Sequence, residues 1–177
     1  YHADRLHYAV VGTPNRLEYD QGFFVKGGDG LADLKPIAHL YKTEVFRLSR
    51  LRNSWKPDSA LGPSGEVIPE NVIVKPPTAE LRENQKDQDS LPPYDILDGI
   101  LALLVEEEMT LADVIARGYE EAPVRRVEHL LYIAEYKRRQ APPGVKITRR
   151  NFGRDRRYPI TNGFRNARSA TRKREFN

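Results

Sequence analysis

A chain of 177 residues has room for one domain with its own core, or for part of a larger domain. Charged residues at 31% beside hydrophobic ones at 39% read as soluble and globular, and no apolar run nears the roughly 20 residues of a membrane span. Cysteine is absent, which excludes disulfides, thiolate metal sites and a cysteine nucleophile, and fits a cytoplasmic setting.

The net charge of +4 conceals an asymmetry. From Lys137 onward there are 14 Lys+Arg against 2 Asp+Glu, which leaves 15 against 23 in the preceding residues. An acidic body with a basic end raises nucleic acid, a membrane surface or an acidic neighbouring subunit as partners, without choosing among them.

In chain order, Leu6 to Val11 (LHYAVV) is a short, mostly apolar run closed by Gly12, as expected of a buried parallel strand. Ligands of open α/β sheets sit beyond the carboxyl ends of strands, which puts Thr13 in a favourable place. Taken alone, Gly12-Thr13-Pro14-Asn15 reads rather as a turn, since each of its residues favours one. Glu18 follows five residues after Thr13, and then come Gly22-Phe23-Phe24-Val25-Lys26, Gly27-Gly28-Asp29-Gly30 and Asp33. The glycines predict a tight turn and match no named phosphate loop. Carboxylates and lysines this dense beside flexible backbone suit an anionic ligand with a divalent metal.

Pro36 predicts a helix start, with the helix running to about Arg52; Tyr41, Val45, Leu48 and Leu51 form its core-facing stripe, and Lys42 lies at the stripe's edge. Asn53 to Glu70 is a Pro/Gly/Ser-rich loop, and Val72 to Val74 predicts a brief strand leading into Lys75-Pro76-Pro77-Thr78. Residues 82–93 (RENQKDQDSLPP) have the composition of a mobile loop. Helices follow, one from Pro93 with Leu97, Ile100, Leu101 and Leu104 inward. A second is capped by Thr110 with Asp113 and ends near Gly118. The third opens at Pro123, carries Val124, Val127, Leu131 and Ala134 on one stripe, and ends in the block Glu135 to Gln140.

Three blocks, Gly12 to Lys42, KPPTAEL (Lys75 to Leu81) and EYKRRQ (Glu135 to Gln140), together resemble the synthetase domain of the bacterial, glutamine-dependent NAD synthetase family. The basic segments RRNFGRDRR and YPITNGFR extend the resemblance to about Phe164, leaving 165–177 as a basic tail. The resemblance implies the later part of an α/β, Rossmann-like PP-loop domain with a helical second half, in residues 1–164. It further implies that Thr13, Lys42 and Thr78 contact ATP, that Glu18 binds magnesium, and that Phe23, Lys26, Asp33 and Lys137 contact deamido-NAD. Lys137 can do so across a dimer interface, and Asp29 stands near the reacting carboxylate. The family's S-G-G-x-D-S pyrophosphate loop and its cysteine-based glutaminase, which makes ammonia from glutamine, are not in this sequence. They are expected upstream of Tyr1, in a longer protein of which this segment alone is poorly active, and a homo-oligomer is expected. The competing reading, a nucleic-acid-binding or oligomerisation module built on the basic end, leaves the metal-and-phosphate residues without a use.

Overall fold

The computed structural model describes residues 1–75, 92–149 and 155–165. Among them the regular structure is helical: α1 His2–Leu6, α2 Arg16–Gln21, α3 Lys42–Ser54, α4 Glu70–Val74, α5 Tyr94–Leu101, α6 Leu111–Ala116, α7 Glu121–Ile133 and α8 Glu135–Arg138. A π-helical turn, Ala102–Glu106, continues α5. Isolated parallel bridges join Val11 to Leu34 and Lys35 to Gly144.

The core forms where the 3.6-residue period is strongest. Leu97, Ile100 and Leu101 of α5 are fully buried, as are Val124, Val127 and Leu131 of α7. Leu104, Val105, Leu111 and Val114 fill the space between these helices, and Leu17 of α2 closes one end. Each such side chain contributes about 1.5–3 kcal/mol by leaving water. At the start of α6, Thr110 and Asp113 make the expected capping box, and the chain leaves the helix past Arg117 with Gly118 at φ +98°.

Several expectations from the sequence do not hold. Leu6–Val11 is not a strand: Leu6 ends α1, His7 adopts a left-handed φ of 57°, and Val11 alone of the run bridges Leu34. Tyr8 N–H turns back to the Ala3 carbonyl at 2.9 Å, so local closure wins where strand partners are few. Nor does the helix begin at Pro36. Residues 36–40 form turns, and α3 starts at Lys42 because its first amides find acceptors there: Glu44 takes Tyr41 N–H at 2.8 Å and Asp98 takes Thr43 N–H at 2.9 Å.

The stripe expected on α3 is not core either, since Leu48 and Leu51 remain about half exposed at 49% and 48%. Val72–Val74 lies in α4, where five residues of helix bury Ile73 despite β-branched composition. The third helix stops at Ile133, and Glu135–Arg138 forms the separate turn α8.

Candidate functional site

Asn15 and Glu18 build the first part of the site. Asn15 at the N-cap of α2 accepts Glu18 N–H at 3.1 Å, and the Glu18 carboxylate accepts Asn15 N–H at 2.8 Å through Oε2. This reciprocal box fixes the carboxylate in direction. Its other oxygen, Oε1, lies 3.7 Å from Lys42 Nζ. Lys42 is the first residue of α3, where a cation opposes the helix dipole; Glu18, with Glu44 and Asp98 at the same helix end, offsets that cost. Sequence positions 24 apart are thus brought into one ion pair, partly open to solvent.

The remaining residues named from the sequence divide by what they hold. Thr13 is exposed just after Gly12, whose N–H donates to the Leu34 carbonyl at 2.9 Å. Phe23 is exposed and Lys26 lies exposed beyond it. Asp29 accepts Val25 N–H at 2.6 Å within its own turn, and Asp33 accepts Val10 N–H at 2.7 Å across to the preceding segment, so both carboxylates, though exposed, are engaged with backbone. Lys137, half-buried on α8, donates to the Gly22 carbonyl at 2.7 Å and the Phe24 carbonyl at 2.9 Å. Gly22, at φ +73°, must be glycine for conformation and for space, because a Cβ there would stand 2.7 Å from that of Ala134. Thr78 and residues 82–91 of the expected mobile loop lie outside the described residues, as do 166–177 of the basic tail.

A buried polar cluster backs this surface, and sequence reasoning missed it. Asp20 on α2 is fully buried, with Arg16 Nε 3.5 Å from Oδ2 and, among the described residues, no hydrogen bond accepted by either oxygen. Arg16 also pairs with Glu106 and lies over the Tyr41 ring. Arg138 of α8 donates to the Asp20 carbonyl at 2.8 Å, to the Leu131 carbonyl, and to Glu135 at 3.1 Å. Its guanidinium lies 5.8 Å from the centre of the Tyr158 ring, whose phenol burial pushes up to about 12.

Burial likewise raises the Asp20 carboxyl from 3.8 to about 7, against the pull of Arg16 and Arg138. A raised acid binds more protons folded than unfolded between those two values. Its contribution is therefore fully present below pH 3.8 and is lost as pH rises toward 7. Stability should fall across that window with a slope of at most about 1.4 kcal/mol per pH unit. Asp20→Asn is expected to flatten this slope in urea titrations at pH 4.5, 5.5 and 6.5; parallel slopes for the two proteins would remove Asp20 as its source.

No group of three or more potential metal ligands occurs among the described residues. Glu18 is a hard oxygen donor held in place by Asn15, and magnesium commonly takes one or two carboxylates plus phosphate oxygens and water. The donor set therefore fits such an ion when a phosphate ligand completes its shell.

The family model described as NAD synthase matches residues 1–141. A glutamine-dependent NAD(+) synthetase of Rhodobacter capsulatus is 48% identical over 156 residues, covering 88% of this chain and 28% of the relative. The corresponding synthetase of Xanthomonas campestris is 50% identical over 155 residues, covering 88% and 27%. The chain thus spans little more than a quarter of the length of these curated relatives.

Among solved structures, the glutamine-dependent NAD(+) synthetase of Cytophaga hutchinsonii aligns with TM-score 0.58 at 21% identity, over 80% of this chain and 22% of that one. The NMN synthetase of Francisella tularensis aligns with TM-score 0.57 at 24% identity, over 77% and 46%. These two likenesses speak to fold alone, and they give the α/β class expected from the sequence, here represented by helices and parallel bridges. No helix among the described residues is long and apolar enough to cross a membrane. With a family model matched over four-fifths of its length and relatives near half identical, the chain belongs to the NAD synthase family.

Proposed function

We propose that this chain is the later part of a synthetase that amidates deamido-NAD to NAD at the expense of ATP, with ammonia drawn from glutamine by a glutaminase outside this sequence. ATP activates the deamido-NAD carboxylate as an acyl-adenylate and releases pyrophosphate. Ammonia then attacks the acyl carbon, the acyl C–O bond to the adenylate breaks, AMP leaves with that oxygen, and the new amide nitrogen gives up a proton. The observation that carries this reading is the Glu18–Lys42 pair: a fixed carboxylate and a helix-start lysine 3.7 Å apart, in a family whose members are named for this chemistry.

Lys42 offsets phosphate charge as the adenylate forms, and Thr13 donates its hydroxyl to a phosphate oxygen. Glu18 holds a magnesium ion, which when bound supplies charge neutralisation to the ATP phosphates. Phe23, Lys26 and Asp33 bind the dinucleotide, and Asp29 stands near the carboxylate to be activated. Lys137 contributes by fixing the Gly22–Phe24 backbone from which Phe23 projects. Thr78 joins the ATP contacts. A nucleic-acid module is not favoured, because it uses none of these groups.

The test is made on the full synthetase carrying this segment, given ATP, Mg2+, deamido-NAD and glutamine or ammonia. NAD, AMP and pyrophosphate are expected in equal amounts. Formation of ADP and phosphate, or ATP consumption without NAD, would reject the reaction proposed.

A further inference from the structure

Lys35 has no part in the site described so far, yet the segments of that site meet on it. It is one of the few lysines in any protein with no solvent exposure, here 0%. Its ammonium donates to the Gly30 carbonyl at 3.0 Å and lies 4.4 Å from the Tyr19 ring centre and 5.4 Å from that of Phe24. The stem runs beneath Gly12, where an added Cβ would stand 2.9 Å from Lys35 Cγ. Its backbone bridges Gly144, a few residues past α8. Loops bearing Thr13, Phe23 and Asp29 thus rest on a single side chain.

A buried ammonium stays charged only where carbonyl and ring faces replace its water. Here burial lowers its proton affinity while the carboxylates of Asp29 and Glu18 raise it. Those two carboxylates are the ones proposed to flank the dinucleotide and the metal, and both act electrostatically on this one buried cation. Neither Gly30 nor the aromatic pair has this ammonium's reach across the three loops.

We propose that Lys35 is a positioning residue: its ammonium, held by the Gly30 carbonyl and the Tyr19 and Phe24 rings, fixes the Val25–Leu31 turn and so sets Asp29 and Phe23 for the dinucleotide. The proposal deepens the synthetase reading and rests on it for the ligand. The turn closes on itself through Gly28 and Gly30 N–H, both donating to the Val25 carbonyl at 3.0 and 3.2 Å, and the Lys35 contact ties this closed turn to the loops beneath it.

Hydrogen exchange by mass spectrometry on the full synthetase carrying this segment tests the positioning directly. In Lys35→Met, peptides spanning residues 25–31 should exchange at least about tenfold faster, the effect of losing one charge-assisted hydrogen bond. Peptides from α5 and α7 should keep their original rates, and Lys35→Arg should recover most of the protection. An unchanged rate in Lys35→Met overturns the proposal. So does acceleration spread equally over α5 and α7, complete unfolding included, since that would make Lys35 a general core residue. In the full synthetase, Lys35→Met should raise KM for deamido-NAD about tenfold with KM for ATP unchanged; equal rises in both count against a role at the dinucleotide. Absence of NAD formation by the unsubstituted enzyme would instead reject the synthetase reading, leaving the exchange result to judge Lys35.

Discussion

Arg138→Met is expected to lower the unfolding free energy by about 3–5 kcal/mol, the range seen when one partner of a buried ion pair is removed. The side chains of Arg138 and Glu135 are 0% and 1% exposed and 3.1 Å apart. The same guanidinium satisfies the carbonyls of Asp20 and Leu131. Methionine fills much of the volume but donates nothing, so a carboxylate and two carbonyls lose their donor in a medium where water cannot replace it. Arg139 also reaches Glu135 at 3.1 Å, from a position 44% exposed, and its residual pairing sets the lower end of the range. Urea unfolding at pH 7 with an unchanged m-value measures the loss directly. Thermal midpoints should drop by roughly 6–20 °C. A loss below about 1 kcal/mol would mean that Arg139 alone neutralises Glu135. At the expected larger loss, Glu135→Gln in the Arg138→Met background should restore part of the stability, because it removes a buried charge left short of donors.

The second large effect is on the proposed reaction and leaves the fold intact. Lys42→Met in the full synthetase should lower kcat by about 10²–10³, the scale set by removing one preorganised charge from a developing anion. Its stability cost should stay below about 1 kcal/mol, since the pair with Glu18 is partly solvent-exposed. The helix start sheds a charge that opposes its dipole, so activity and stability are expected to part company. Lys42→Arg should recover activity only in part, because a planar fork does not reproduce a point charge. A kcat within threefold of the unsubstituted enzyme at saturating ATP would take Lys42 out of the phosphate contacts.

What was legible in the sequence follows physical lines. The stripes of α5 and α7 were readable because Leu97, Ile100, Leu101, Val124, Val127 and Leu131 repeat at the helical period and all are fully buried. The Thr110–Asp113 cap was readable because it is a local bargain between neighbours. Leu6–Val11 was misread, since a strand depends on partners elsewhere, and among the described residues only Val11 finds one, in Leu34. Val72–Val74 was misread for the converse reason, a β-branched composition overruled by one turn of helix. Within the site, Glu18 and Lys42 could be named only through the family resemblance, since each alone reads as a solvated charge, and the structure pairs them. Lys35 and Asp20 could not, because an isolated charge carries no mark of burial until distant segments close over it.

The clasp made by Lys137 has a consequence in time as well as in space. Its two acceptors, Gly22 and Phe24, precede it by 115 and 113 residues. On a ribosome adding about 5–20 residues per second, the glycine and phenylalanine segment waits roughly 6–23 s for the lysine that fastens it. Until then the nascent chain carries Tyr19 and Phe24, stacked 5.1 Å apart in the finished protein, without their final cover. The Gly22–Phe24 segment is therefore made well before the residue that fastens it, and a stall in translation anywhere between α2 and α8 prolongs the interval in which it is open to misfolding.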